Sequence, residues 1–116
     1  MRISGRLKER VLKQDIINTL SLYDTPQQEV VFNTIMNTKR RFRADYLCPN
    51  LKLIIELNGG QWVNGRHNRG GKGYENDLTK LNLAQRNGFQ VWQYTYEMIS
   101  RGELKKDLEQ WMKSKK

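Results

Sequence analysis

A lone cysteine, a lone histidine and the want of any long apolar run set the first limits on this chain. With Cys48 by itself, neither an intramolecular disulfide nor a cysteine zinc cluster can form, and a reducing compartment is expected. Cys48, beside Pro49 at a strand end, reads as a small packing residue, since His67 is the only histidine and nothing else marks a cysteine hydrolase. No stretch approaches the roughly 18 apolar residues of a membrane span. The N-terminus has no apolar signal core, so a membrane partner is not expected. The glycine-rich stretch lacks the Walker spacing and its Lys-Ser/Thr pair, which excludes a phosphate-binding P-loop. No internal repeat or low-complexity linker divides the chain.

What is present in excess is positive charge. Lys and Arg number 21 against 12 acids, a net charge of +9, which suits a polyanionic partner, nucleic acid first of all. The 116 residues make one domain, large enough for a core and too small for two. Residues 6–22 place Leu7, Val11, Leu12, Ile16 and Leu20 at helical spacing, and Asp24-Thr25-Pro26 breaks that helix. The β-branched run Glu29 to Met36 predicts a strand, with Asn37-Thr38 as a hairpin turn into a second strand from Arg40. Residues 59–73 hold six of the nine glycines and predict a loop that is flexible or whose backbone approaches a ligand closely. Tyr74 to Asn87 predicts a helix with Leu78, Leu81 and Ala84 facing in, Phe89 to Thr95 a fourth strand, and residues 102–113 a closing helix. These elements predict an α/β fold, a mixed sheet of about four strands flanked by helices.

Two carboxylates stand out in the segment Arg40 to Trp62. Phe42, Ala44 and Tyr46 alternate with Arg41, Arg43 and Asp45, which predicts one apolar strand face and puts Asp45 on the other. After Pro49-Asn50, LKLIIELN predicts a buried strand with Ile54, Glu56 and Asn58 on one face and Leu53, Ile55 and Leu57 on the other. Glu56 is thus an acid inside an apolar run, and burying it costs several kcal/mol unless a cation or hydrogen bonds offset it. A basic neighbour such as Arg43 would serve structurally. Alternatively, Asp45 and Glu56 on adjacent antiparallel strands converge on one hard cation, which prefers oxygen ligands.

The order Asp45, turn, Glu56-Leu57-Asn58 resembles the metal site of the PD-(D/E)XK nuclease superfamily, with Asn58 where the last motif usually has lysine. The following ELNGGQWVNGRH, and the helix bearing Asp77, Lys80, Asn82, Ala84 and Gly88 in the pattern DxxKxNxAxxxG, resemble small stand-alone bacterial and phage endonucleases related to the very-short-patch-repair enzymes. The likeness covers about residues 29 to 96. It implies a restriction-endonuclease-like fold and a Mg²⁺- or Mn²⁺-dependent nuclease, a DNA endonuclease in the first place, working in the cytoplasm of a bacterial or phage-infected cell. Asp45, Glu56 and the carbonyl of Leu57 would hold the metal, and Glu29 matches the position of a further acid, though by itself it is an exposed acid at a strand start. Asn58 stands at a catalytic position, and Lys80 would replace the missing lysine, as relocated lysines do in this superfamily; its alternative is an ion pair with Asp77 one helical turn away. His67 would protonate the leaving oxygen or simply contact a phosphate. Arg40, Arg41, Arg43, Arg66, Arg69 and Lys72 suit phosphate contacts, Gly59 and Gly60 permit close backbone approach, and Trp62 either stacks on a base or plugs the core under the loop.

A catalytically silent nucleic-acid binding module with this fold is the main rival, and Asn58 is its best support. A protein-binding module using the Trp and Met residues is the third reading. Dimerisation stays open.

Overall fold

The computed structural model describes residues 5–58, 62–63, 66–67 and 72–115; the side chains of Arg6, Trp62, Val63, Arg66, His67 and Lys72 lie outside the description. In chain order the elements are α1 (Gly5–Leu20), β1 (Gln27–Val31), a 3₁₀ turn (Phe32–Thr34), β2 (Arg43–Cys48), β3 (Leu53–Leu57), the short strands β4 (Trp62–Val63) and β5 (Arg66–His67), α2 (Lys72–Arg86), β6 (Gln90–Tyr94), α3 (Tyr96–Ser100) and α4 (Glu103–Ser114). Four strands form a mixed sheet in the order β1-β2-β3-β6, antiparallel except for the parallel pair β3/β6, while β4 and β5 pair as a separate ribbon. The fold is therefore α/β, with helices flanking a four-stranded mixed sheet.

The sheet has apolar side chains on both faces. One face carries Tyr46, Cys48, Leu53, Ile55 and Tyr94, which pack with Leu12, Ile16 and Leu20 of α1, Ile99 of α3, and Leu104 and Leu108 of α4. The other carries Leu47 and Ile54, packed with Phe32, Met36, Phe89 and with Leu83 and Ala84 of α2. The central strands β2 and β3 are buried on both sides, which explains the near-continuous apolar run of β3. Cys48 is fully buried, and burial pushes its thiol up to about 12, so it is no nucleophile near neutral pH.

Three expectations change. First, the strand predicted from Glu29 to Met36 stops at Val31. Thr34 Oγ1 donates to the Val31 carbonyl at 2.7 Å, and the N–H groups of Ile35 and Met36 both donate to the Phe32 carbonyl, so local bonds close a helical turn. That turn buries Phe32 and Met36 together, and it replaces the predicted Asn37-Thr38 hairpin by a longer connection into β2, which begins at Arg43 rather than Arg40. Second, Phe42, Ala44 and Tyr46 do not share a face: Phe42 and Ala44 pack in the α2-side cluster, while Tyr46 joins the cluster under α1. Asp45 lies on the α2 side with Leu47, where it lines a cavity together with Glu56. Third, Leu78 is 42% exposed and Leu83 takes its place in the core, because the first half of α2 stands off the sheet over a cavity.

Asp24, expected only to break α1, has a tertiary role. Its carboxylate accepts hydrogen bonds from the N–H of Thr25 (2.7 Å), the N–H and side-chain amide of Asn50 (2.9 and 2.8 Å) and the N–H of Leu51 (3.0 Å), tying the end of α1 to the β2–β3 turn. Burial pushes this carboxyl up, but the four hydrogen bonds together pull it below its ordinary value. A group whose folded pKa is depressed stabilises the fold above its unfolded pKa and loses that contribution as pH falls through the folded one. Asp24→Ala is therefore expected to cost about 1–3 kcal/mol in urea unfolding at pH 7. The difference from wild type should shrink below about pH 4; equal stability at pH 7 would show the tie to be dispensable.

Candidate active site

The site grows out of the way β2 meets β3. Their ladder runs through Cys48↔Leu53, Leu47↔Ile54 and Tyr46↔Ile55. One step further in this register Asp45 stands opposite Glu56, and there carboxylates take over as backbone partners. The Asp45 N–H donates to Glu56 Oε2 at 2.8 Å, and the Leu57 N–H donates to Asp45 Oδ2 at 2.8 Å. Each acid is thereby fixed by the other strand's backbone through one of its oxygens, and the two lie side by side on the α2 face, where cross-strand partners sit about 5 Å apart at Cβ.

Lys80 of α2 reaches down to this pair. Its ammonium donates to Glu56 Oε1 in an ion pair and lies 5.9 Å from the centre of the Phe32 ring. The partner expected for the buried acid is thus Lys80, not a strand arginine such as Arg43, which is exposed. Glu56 is the one buried polar or charged residue among the described residues, 9% exposed. Burial pushes its carboxyl above the usual range, and the charge of Asp45 adds to the rise; the Lys80 ammonium and the Asp45 N–H oppose it without cancelling it.

These groups open onto a cavity of about 720 Å³ between α2 and the sheet, whose polar lining is Asp45, Glu56, Asn58, Asp77, Lys80 and Gln93. Leu57 also lines it, and exposed Tyr74 and Leu78 form its apolar rim. Asn58 follows β3, its N–H donating to the Tyr94 carbonyl at 2.9 Å and its side-chain amide to Gln93 Oε1 at 2.8 Å. Gln93 pairs with Glu56 in the parallel register. Sequence reasoning missed it, although a glutamine two residues after Val91, on the side of β6 that lines the cavity, is a signal.

The remaining sequence-predicted residues are not gathered here. Glu29 is exposed, has a left-handed φ of 52°, and is not among the cavity-lining residues. Arg40, Arg41 and Arg43 are exposed; Arg40 lies 4.6 Å over the Phe42 ring and reaches Asn76 of α2 at 3.4 Å. In the predicted loop the backbone forms the β4/β5 ribbon, Trp62 opposite His67 and Val63 opposite Arg66. The side chains of Trp62, Arg66, His67 and Lys72, and all of Gly59, Gly60 and Arg69, lie outside the described residues.

Among the described residues no group of three or more His, Cys, Asp or Glu side chains converges as a metal cage. A pair of carboxylates still suits one class of ion: Mg²⁺ keeps several waters and is commonly held by one or two carboxylates plus substrate phosphates. Asp45 and Glu56 are such a pair, and the cation on Glu56 in the structure is the Lys80 ammonium. Among the described residues no helix is long and apolar enough to cross a membrane. Compared with protein-family models, curated proteins and solved structures, the chain matches none.

Proposed function

We propose that this chain is a metal-dependent nuclease that hydrolyses phosphodiester bonds, a DNA endonuclease in the first place. The observation that carries the reading is the convergence of Asp45, Glu56 and Lys80 in an open cavity of a protein with net charge +9. Asp45, Glu56 and the Leu57 carbonyl would hold Mg²⁺ or Mn²⁺. Such an ion, when bound, neutralises charge on phosphoryl oxygens and lowers the pKa of the attacking water. The chain's own residues supply the rest. Lys80, in place of the lysine absent at Asn58, offsets charge developing on the phosphoryl group. The amide of Asn58 orients a water without contributing charge. His67 is the only imidazole available to protonate the leaving oxygen. The exposed Arg41 and Arg43, with the basic residues of the 59–73 stretch, would hold the flanking phosphates.

One observation favours a silent binding module instead: Lys80 already satisfies Glu56, so the pair could be a structural ion pair. Metal binding separates the two. Mn²⁺ titrated into wild-type protein and followed by electron paramagnetic resonance is expected to bind and to be displaced by Mg²⁺, with binding weakened in Asp45→Asn; no bound Mn²⁺ in the wild type favours the binding module.

Both readings predict strong salt dependence. The log of duplex affinity should fall linearly with log salt at a slope of about 0.9 per phosphate contacted. A flat profile would point to protein binding.

A further inference from the structure

Acceptors crowd this cavity. Asp45 and Glu56 both line it, and the Lys80 ammonium is already engaged by Glu56. A phosphodiester brings further acceptor oxygens, so each neutral donor facing the cavity weighs heavily. The amides of Asn58 and Gln93 are bonded to one another in one sense only: Asn58 Nδ2 donates to Gln93 Oε1 at 2.8 Å. That bond uses a donor of Asn58 and the acceptor group of Gln93. What remains is complementary, the carbonyl oxygen Oδ1 on Asn58 and the NH₂ group Nε2 on Gln93. The backbone holds both in place, since Gln93 stands beside Glu56 in the β3/β6 ladder and the Asn58 N–H donates to Tyr94 in the same strand. Among the described residues no other side-chain hydrogen bond engages either amide.

We propose that Gln93 has two linked roles at the site: its Nε2 donates to a non-bridging oxygen of the phosphodiester being cut, and its Oε1 positions the Asn58 amide so that Asn58 Oδ1 accepts a hydrogen bond from the attacking water. The inference rests on the nuclease reading. It goes beyond that reading by assigning the phosphate contact to an uncharged donor on the edge strand and by making the orientation of Asn58 depend on it. A water held by an acceptor keeps a lone pair directed at phosphorus, which a donor at the same place would tie up.

The two roles separate by substitution in the full-length chain, with a fluorescein-labelled DNA that the wild type cleaves. Gln93→Met removes both donor and acceptor, and is expected to lower kcat/KM by about 10²-fold, with KM raised and kcat reduced. Gln93→Glu keeps an acceptor for Asn58 but offers no donor, so kcat should return to within about threefold of wild type while KM stays high. Binding in EDTA gives a readout independent of turnover. Replacing the scissile phosphate by a neutral methylphosphonate should weaken wild-type binding by about tenfold more than it weakens Gln93→Met, because the variant has already lost the contact. Wild-type kcat and KM in Gln93→Met, or an equal methylphosphonate penalty in both proteins, overturns the phosphate contact. Equal loss of kcat in Gln93→Met and Gln93→Glu overturns the positioning of Asn58. If Asp45→Asn abolishes cleavage while Gln93→Met is indistinguishable from wild type, this inference fails and the nuclease reading stands; a wild type that cleaves no nucleic acid removes both.

Discussion

Asp45→Asn is expected to reduce phosphodiester cleavage by at least ~10³-fold while leaving the fold and its thermal stability close to wild type. The asparagine carbonyl oxygen can still accept from the Leu57 N–H, now bonded to Asp45 Oδ2, so the strand junction survives; the charge offered to a metal does not. Glu56 variants should be as inactive but less stable. Alanine there removes the acceptor for the Asp45 N–H and strands the Lys80 ammonium over a partly buried site. A Gln side chain can satisfy only one of these two donors, since its NH₂ end meets the other donor head-on. The like-charge relief expected on removing one of two neighbouring acids is therefore outweighed at Glu56 by a lost backbone partner, about 1–3 kcal/mol. Comparable turnover in Asp45→Asn and wild type would move the chemistry to another part of the molecule.

Lys80→Met carries the second large effect. The ammonium sits on the very carboxylate proposed to hold the metal, so its removal should slow cleavage by about 10²-fold or more. Affinity for nucleic acid should change little, because one half-buried cation engaged by Glu56 contributes little to phosphate binding at the surface. Asn58→Ala should do less, as it removes an uncharged group. A Lys80→Met protein with full activity would leave charge stabilisation to the metal, His67 or an arginine. A large loss of affinity with unchanged kcat would make Lys80 a binding residue instead.

Much of this site is legible in the chain because it violates local rules. An acid in Leu-Ile-Ile-Glu-Leu must find a partner, and the alternation of β3 correctly places Ile54, Glu56 and Asn58 on one face. The alternation of Phe89 to Thr95 likewise marks β6 and puts Gln93 beside Val91 on the cavity side. Tertiary choices are less visible. Lys80 lies at ion-pair spacing from Asp77, and nothing local decides that it reaches across to Glu56; that depends on how α2 leans on the sheet. The same lean exposes Leu78, which helical periodicity assigns to the core. Around Asp45 the period-2 pattern groups Phe42, Ala44 and Tyr46, which pack in two different clusters, because both faces of β2 are covered by apolar side chains. The 3₁₀ turn after β1 and the four bonds to Asp24 rest on short polar side chains closing contacts that no periodicity records.

The most direct measurement is digestion by the purified wild-type chain of end-labelled single-stranded, duplex and branched DNA, and of RNA, in Mg²⁺, Mn²⁺ or EDTA, with Asp45→Asn prepared alongside. Cleavage of at least one DNA substrate is expected with a divalent metal, none in EDTA, restoration when metal is returned, and none from Asp45→Asn. Intact substrates under every metal, with salt-sensitive binding retained, would contradict the nuclease reading and make this protein a nucleic-acid binding module.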